Sequence, residues 1–516
     1  MQLNPPIPTL TLKQLNQIRA QILTSAKPTT LNSLLRSLAH SKHPQNALTL
    51  FTHMLQNPSS HDHSTFTHAL KACSSLRALR TGLQIHARAA KSGHLADIFI
   101  QNSMIHFYFR ESEIVGGCRV FDEIVCPDVV SWTSIVSGLF KAGFERESVV
   151  RFCDMDVEPN AASLVSVLCA CSRLRAVRLG KAIHGYCLKS LIEDNIILDN
   201  AVLDFYVKCG SLRIARYLFF AKMLDRDVIS WTIMVGGFAY RGFCEEAVRL
   251  FGDMLERGEV EPNEATIVSV LSACSSLSAL SWGRWVHAYV STRHDLIVDG
   301  NVGNALINMY SKGGDMGMAV RVFDALIRKD VVSWSTIISG MAMNGFGVHA
   351  LPLFSLMLVR GVCPDDVTFL GLLSACSHGG MIDQGLMLFK AMTDVYGIVP
   401  QMQHYACVVD MYGRAGLLKE GEDFIQKMPV EADGTVWGAL LNACRVHGNE
   451  EMFGWITRCI STAEGVSIGT YALLSNTYAS TRKWEDANEV RDVMSSMGLK
   501  KMAGCSWIEA ESSIPT

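Results

Sequence analysis

The sequence predicts an all-α chain, an α-solenoid of stacked helix-turn-helix repeats. Two observations carry that expectation: a long repeat kept by several independent markers, and two apolar stripes at helical spacing inside each unit of it. Ser131-Trp132-Thr133 recurs as Ser230-Trp231-Thr232 and Ser333-Trp334-Ser335, spaced 99 and 103 residues apart. Cys73, Cys171, Cys274 and Cys376, each preceded by alanine, keep the same beat. So do His86, His184 and His287, and Tyr108, Tyr206, Tyr310 and Tyr412. Each period divides into three units of about 31 to 36 residues, the scale of a helical-repeat array. In one unit, Trp231, Met234, Val235 and Phe238 fall at helical spacing, and Arg241-Gly242 breaks the run. Ala247, Leu250, Phe251 and Met254 then form a second stripe, which Gly258 and Pro262 end. Two helices of three turns cannot cover their own apolar stripes, so neighbouring units must stack and leave a concave face. No segment alternates well enough to predict a sheet. The Met and aromatic residues at these spacings read as core.

Composition bounds the function. A chain of 516 residues fits three or four domains or one array. With 49% apolar and 18% charged residues it can bury a core. Forty-six basic against 49 acidic residues give a formal charge of -3 and a pI near 6.6. That excludes a broadly basic protein held to nucleic acid by phosphate neutralisation, but not one that reads bases. The sixteen cysteines lie between Cys73 and Cys505 with no Cys-x-x-Cys and no secretory signal, so they read as reduced and mostly buried. Mean hydropathy is +0.20, and residues 331–359 lack Asp, Glu, Lys and Arg. Asn344-Gly345, Gly347, His349 and Pro352 interrupt that stretch, which suits two short helices and a turn, so no membrane partner is expected.

The strings VVSWTSIVSG, SVLSACSSLSALSWGRWVHAYV and NALINMYSKGGDMGMAVRVFDALIRKD resemble the pentatricopeptide repeat family of plants, and the triplet of units resembles its PLS class. On that pattern P units lie at 28–62, 129–160, 228–263 and 331–365. L units lie at 63–97, 161–195, 264–299 and 366–401, and S units at 98–128, 196–227, 300–330 and 402–433. These twelve units cover 406 residues. TVWGALLNACRVHGN and TYALLSNTYASTRKWEDANEVRDVM are similar to the E1 and E2 motifs of its E subgroup, placing them at 434–500, and GCSWIE at 504–509 opens a short extension over 501–516. The resemblance implies a right-handed α-solenoid superhelix. Two departures stand out: unit 129–160 is about three residues short, so its second helix or closing turn must be trimmed, and Ala503 replaces a proline usual in the family.

By resemblance, the fifth and last residues of a unit read one RNA base. The fifth residues of the P and S units are Asn32, Asn102, Thr133, Asn200, Thr232, Asn304, Ser335 and Ala406. The matching last residues are Asp62, Asp128, Asn160, Asp227, Asn263, Asp330, Asp365 and Asp433. Uracil and guanine carry an imino N–H that an Asp carboxylate accepts, whereas adenine and cytosine offer a ring acceptor to which an Asn amide donates. In the family's code a fifth-position Asn favours a pyrimidine and Thr or Ser a purine. The four Asn/Asp pairs then read U, Thr133/Asn160 and Thr232/Asn263 read A, Ser335/Asp365 reads G, and Thr67/Asp97 adds a weak G. Val165, Val268 and Leu370 of L units cannot hydrogen-bond a base and read as spacers. Val130, Ile229 and Val332, among other second positions, would sandwich the base. The expected target is 5′-U-(G)-U-A-n-U-A-n-U-G-n-n-3′. A competing account exists for the last position: eleven of twelve are Asp or Asn, as N-caps require. It does not extend to the fifth, inside a helix where Asn and Thr are poor formers.

Similar proteins with E motifs specify cytidines for C-to-U editing in plant organelles. No histidine has Glu two residues on and no Cys-x-x-Cys exists, so the zinc ligands and proton shuttle of a cytidine deaminase are missing, and no cofactor or catalytic residue is expected. The chain stops soon after GCSWIE, leaving no room for a DYW deaminase domain. The resemblance therefore implies single-stranded organellar RNA, a DYW-type deaminase protein acting in trans and multiple organellar RNA editing factor proteins as partners. Residues 434–509 are the expected docking end, with Trp437, Trp484 and Trp507 as candidate contacts against a core alternative. Gly465-Val466-Ser467-Ile468-Gly469 lacks the strand-to-helix setting of a nucleophile elbow. An organellar RNA stability or splicing factor is the alternative, and a peptide-binding scaffold of the tetratricopeptide type the second. The latter lacks its Trp-x-x-Leu-Gly-x-x-Tyr signature and needs no polar readers. The first 61 residues carry no Asp or Glu but contain Lys13, Arg19, Lys27, Arg36 and Lys42, as a transit peptide would. Because LKQLNQIRAQIL at 12–23 also resembles a truncated L helix, residues 1–27 are assigned as a short targeting segment, a degenerate first repeat, or both. A mitochondrion is expected, with a plastid as alternative.

Overall fold

The computed structural model describes residues 28–496 except 42, 56–61, 191–194, 294–297, 450–451, 458–467 and 481–482. The targeting segment, Trp507, most of Gly465–Gly469 and the GCSWIE extension lie outside the described residues. Every regular element among the described residues is helical, and the backbone divides into two compact units, 1–233 and 234–516.

In the first unit the hairpins run Pro28–Ala39 with Gln45–Met54, His63–Leu76 with Leu79–Lys91, and Ile98–Arg110 with Ile114–Asp122. Val129–Lys141 with Glu145–Cys153, Ala161–Leu174 with Val177–Lys189, and Ile196–Lys208 with Leu212–Tyr217 follow. The second unit repeats the pattern from Glu264–Leu277 with Leu280–Ser291 to Met402–Arg414 with Leu418–Gln426, and ends on Gly434–His447, Ile468–Ser480 and Trp484–Ser496. Within each unit the first helix of a hairpin packs on the first helix of the next, and second helices pack against first helices. Within each unit the first helices thus form a layer, and sequence position fixes which side chains line its open face.

Ring contacts at fixed register join consecutive hairpins. An aromatic residue near the end of one hairpin meets an aromatic residue at the fourth position of the next: Phe121 on Trp132, Phe219 on Trp231 and Phe323 on Trp334, at 4.8, 4.8 and 4.9 Å edge to face. Phe51 on Phe66 and Phe354 on Phe369 repeat this at 5.8 and 5.9 Å. Such pairs add ~1 kcal/mol beyond the area they bury. The residues 331–359 form two separate helices, Val331–Met343 and Gly347–Val359, and no helix among the described residues is long and apolar enough to cross a membrane.

The short unit is trimmed in its second helix: Glu145–Cys153 has 9 residues where Cys244–Arg257 has 14. The shortened return places Asp156 over Trp132, whose Nε1 donates to the carboxylate at 3.0 Å. After Leu212–Tyr217 the backbone makes a π turn, Leu218–Lys222, and Arg226 fills the loosened turn by donating to the carbonyls of Phe219 and Phe220 at 2.6 and 3.1 Å. Burial pushes the thiols of Cys73 and Cys171 up to about 12, as expected of inert core cysteines. Cys126, Cys153 and Cys363 are exposed, while the other eleven described cysteines are buried or half-buried.

The periodic histidines and tyrosines meet. Nδ1 of His86, His184 and His287 is hydrogen-bonded to the hydroxyl of Tyr108, Tyr206 and Tyr310 at 2.6, 2.9 and 2.8 Å, stitching each L hairpin to the following S helix. Burial holds all three imidazoles below their ordinary 6.5. Between the folded value and 6.5 the unfolded chain therefore binds more protons than the folded one, so stability is fully present above 6.5 and falls as pH drops through it. Urea midpoints at pH 7.5 and 5.5 should show lower stability at 5.5, with a smaller difference after all three histidines are changed to Gln.

Candidate nucleic-acid interface

The last residue of a unit caps the first helix of the next. Asp128, Asp227, Asp330 and Asp365 stand at these starts, and Oδ1 of each accepts the N–H of Ser131, Ser230, Ser333 and Thr368 at 2.7, 2.8, 2.9 and 2.8 Å. Asn160 and Asn263 do the same for Ser163 and Thr266 at 2.9 and 3.0 Å. Asp62, Asp97 and Asp433 also cap, whereas Asp299 makes no side-chain cap. The capping account of this position is therefore correct, and the fifth position shows what it leaves room for.

Asn32, Asn200, Asn102 and Asn304 each donate Nδ2 to Oδ1 of their own last residue, Asp62, Asp227, Asp128 and Asp330, at 2.9, 3.0, 3.3 and 3.4 Å. The Ser335 hydroxyl lies 3.2 Å from Asp365 Oδ1, and the Thr133 hydroxyl 3.1 Å from Asn160 Oδ1. These hydroxyls also back-bond their own helix, to Val331 O at 2.7 Å and Val129 O at 2.6 Å, as Thr232 does to Val228 O at 2.6 Å. In these six pairs the bonds that hold helix and reader converge on one oxygen. An Asp keeps a second oxygen, an acceptor, and an Asn keeps Nδ2, a donor. Burial pushes the Asp128 carboxyl up, but the Ser131 N–H and hydroxyl and the Asn102 amide outweigh it and hold the group below its ordinary range. Asp227 and Asp330 follow the same balance with Ser230 and Asn200, and with Ser333 and Asn304. The spare oxygens therefore belong to ionised acceptors at neutral pH.

Grooves bring these edges between apolar walls. In the first unit a groove of about 620 Å³ is lined by Phe99, Asn102, Asp128 and Val130, so the reader stands between the second residue of its own unit and that of the next. In the second unit Val332 forms an apolar wall on one side of Asn304 and the polar Asn301 lies on the other in a groove of about 870 Å³, while Val332 and Val367 flank Ser335 and Asp365 in another of about 260 Å³. Val130, Ile229 and Val332 are 50%, 53% and 49% exposed, unpacked apolar surface at one rung. Phe99, Ile197 and Val367 share that rung and are exposed too. These three were not singled out from the sequence, although their register, second in the unit, is the signal that finds them.

Other expected site residues are not brought together. Thr67 donates to Ser64 O at 2.9 Å, while Asp97 caps Phe99 and Ile100. Ala406 packs against the core of the second unit, leaving Asp433 to its cap. The sequence reading also missed a basic wall. Arg36, His40, His68, Lys71 and His106 line the first groove, with Lys71 Nζ 2.7 Å from His40 Nε2. Burial, then Arg36, His40 and Lys71, lower the pKa of His68, so the fixed positive charge there is that of Arg36 and Lys71. At the far end Trp437 is buried and donates Nε1 to Ala432 O at 3.1 Å, so it is core, whereas Trp484 is 59% exposed. Among the described residues no three His, Cys, Asp or Glu side chains gather as a metal site.

Comparison with known proteins places this geometry. The Arabidopsis thaliana pentatricopeptide repeat-containing protein At4g38010 is 37% identical over 480 residues, spanning 93% of this chain and 86% of its own. The chain belongs to the pentatricopeptide repeat family. Two further Arabidopsis members are the mitochondrial At1g06140, 36% identical over 90% of this chain and 83% of its own, and the chloroplastic At1g08070, 35% identical over 93% and 69%. The PPR repeat model matches residues 29–58, 130–158, 229–259, 304–331, 367–394 and 404–431, the PPR repeat family model 329–378, and the E motif model 464–509. This pentatricopeptide repeat protein is thus of the PLS class and E subgroup. Its fold is that of the crystal structure of PPR10 from maize, with a TM-score of 0.55 and 17% identity over 95% of this chain and 77% of that one. A second PPR10 structure, in complex with an 18-nt psaJ RNA element, matches with a TM-score of 0.55 and 16% identity over 93% and 80%.

Proposed function

We propose that this pentatricopeptide repeat protein binds single-stranded RNA of a plant organelle by base identity and marks cytidines for C-to-U editing by a deaminase recruited in trans. The observation that carries the reading is the divided last residue. One oxygen of Asp128, Asp227 or Asp330 closes the helix and holds the Asn reader. The other remains for an imino N–H, and in Asn160 and Asn263 the remaining atom is a donor suited to a ring nitrogen. The apolar second residues on either side form walls against which a base stacks, and Arg36 and Lys71 sit where phosphates would pass. A near-neutral chain gains specificity this way without a broad basic surface. The E motif supports the editing role and docking through 434–509 of a DYW-type deaminase protein and multiple organellar RNA editing factor proteins. The organellar names among the relatives support the location, assigned here to the mitochondrion. Gel shifts with 5′-U-G-U-A-n-U-A-n-U-G-n-n-3′ and with A-to-G changes opposite units 129–160 and 228–263 should give about tenfold weaker binding per change. Equal affinity for all of them would exclude base reading. Sequencing organellar RNA from a loss-of-function plant should reveal one or a few unconverted cytidines; a lost transcript end or a retained intron would instead assign the protein to stability or splicing.

A further inference from the structure

The Asn readers are not held alike. Asn102, Asn200 and Asn304, exposed by 9%, 6% and 8%, each have a buried Oδ1 with no hydrogen-bond partner. Asn32, just as buried, has both ends of its amide engaged: Nδ2 donates to Asp62, and Oδ1 accepts the Thr65 hydroxyl at 2.7 Å. Thr65 is the third residue of the following unit. At the same place after the other three stand Ser131, Ser230 and Ser333, whose hydroxyls turn to the capping carboxylate at 2.8 Å, a contact that Thr65 makes with Asp62 only at 3.2 Å.

At the P junctions the third residue is less uniform. After 331–365 it is threonine, and the Thr368 hydroxyl lies 2.6 Å from the capping Asp365 Oδ1 as well as 2.8 Å from the hydroxyl of the reader, Ser335. After 228–263 it is Thr266, whose hydroxyl goes to the capping Asn263 Oδ1 at 2.9 Å. After the P unit 129–160 it is Ser163, whose hydroxyl goes to the backbone carbonyl of Asn160 at 2.8 Å and not to the reader Thr133. Thr65 and Thr368 are both wholly buried, and each keeps its hydroxyl within hydrogen-bond reach of the reader.

We infer that the third residue of the following unit positions the reader: threonine locks the amide, and serine leaves it able to turn over. A locked Asn32 keeps an N–H for the uracil carbonyl while Asp62 takes the imino proton. Cytosine presents the opposite pattern, an amino donor and a ring acceptor, and meets the wrong partner at both atoms. An amide that turns over gives up its bond to the carboxylate and offers its oxygen to the cytosine amino group, which relieves one of the two mismatches and narrows the difference between the pyrimidines. Unit 28–62 therefore separates U from C more sharply than units 98–128, 196–227 and 300–330.

This rests on the RNA-reading proposal, and the test separates the two. Affinities of the full chain are measured for the U-rich target and for RNAs with U changed to C opposite one unit at a time. The U-to-C ratio opposite unit 28–62 should exceed those opposite the three S units by roughly two- to tenfold, the worth of one hydrogen bond. Thr65→Ser, which retains a hydroxyl and the cap, and Thr65→Val, which retains the shape, should both lower that ratio to the S-unit level while leaving discrimination opposite unit 331–365 unchanged. Ser131→Thr should raise the ratio opposite unit 98–128. A U-to-C ratio unmoved by Thr65→Val and by Ser131→Thr, in variants whose circular dichroism matches the parent, overturns the positioning role while leaving base reading intact. A parent chain with no U preference opposite any unit overturns both.

Discussion

Gly180→Ala is expected to destabilise the chain, and Gly185→Ala in the same helix to stabilise it. Both glycines lie in Val177–Lys189, where alanine is worth about 1 kcal/mol over glycine by helix propensity alone. At Gly185 nothing stands within 4 Å of the added carbon, so that gain is realised. At Gly180 the carbon would fall inside the ring of Phe205, which is 0% exposed and cannot withdraw. Overpacking a closed core costs about 1–3 kcal/mol, and a ring with no empty side puts the cost at the upper end, so the sign reverses. The close approach is built into the repeat. Gly82 receives Phe107, Gly283 receives Met309 and Gly385 receives Met411, each an L hairpin admitting the tenth residue of the next S helix. Urea denaturation reads the two signs, and hydrogen exchange should place the loss at Gly180 in hairpins 161–222 first, because a stacked array yields locally. Equal stabilisation by both substitutions would show that Phe205 moves freely.

Asp227→Asn is expected to turn the preference opposite unit 196–227 from U toward C by about tenfold while leaving the fold in place. Oδ1 of the new amide still caps Ser230 and still accepts from Asn200, but the spare atom becomes a donor facing a ring nitrogen. Asp227→Ala removes cap and reader together. It should cost about 1 kcal/mol of stability and weaken binding to every base at that position. Gel shifts against four RNAs differing only opposite this unit distinguish the two variants. A preference unchanged by Asp227→Asn would mean that the carboxylate serves the helix alone.

The hairpins were legible in the sequence because markers such as Trp132, Trp231 and Trp334 repeat and because the two stripes of each unit have helical period. The trimming of unit 129–160 followed from length alone. The last residues were legible too, but capping and reading looked like rival accounts of Asp128 or Asn160, and only the bond geometry shows that the cap takes one atom and leaves the other for the proposed reading. Phe99, Ile197 and Val367 were missed because an apolar residue in a helix reads as core until its face is known. Trp437, a candidate contact weighed against a core position, is buried and donates its Nε1–H to a backbone carbonyl, as the core reading expects. The π turn at Leu218–Lys222 and the seating of Phe205 on Gly180 depend on partners more than twenty residues away or on a single arginine, and no local pattern announces them.

Where one atom of a last residue is committed to starting the next helix, as in Asp128, Asp227, Asp330 and Asn160, the proposed readout at that position is carried by the one atom left. Asp and Asn are the side chains that cap equally well and differ only in the spare atom. A lineage that drifts to a new target can change this letter by a single substitution without passing through an unstable intermediate. A residue that cannot cap would trade the array's integrity for its new meaning. Retargeting, by selection or by design, is therefore channelled into a binary choice at the last residue and a freer one at the fifth.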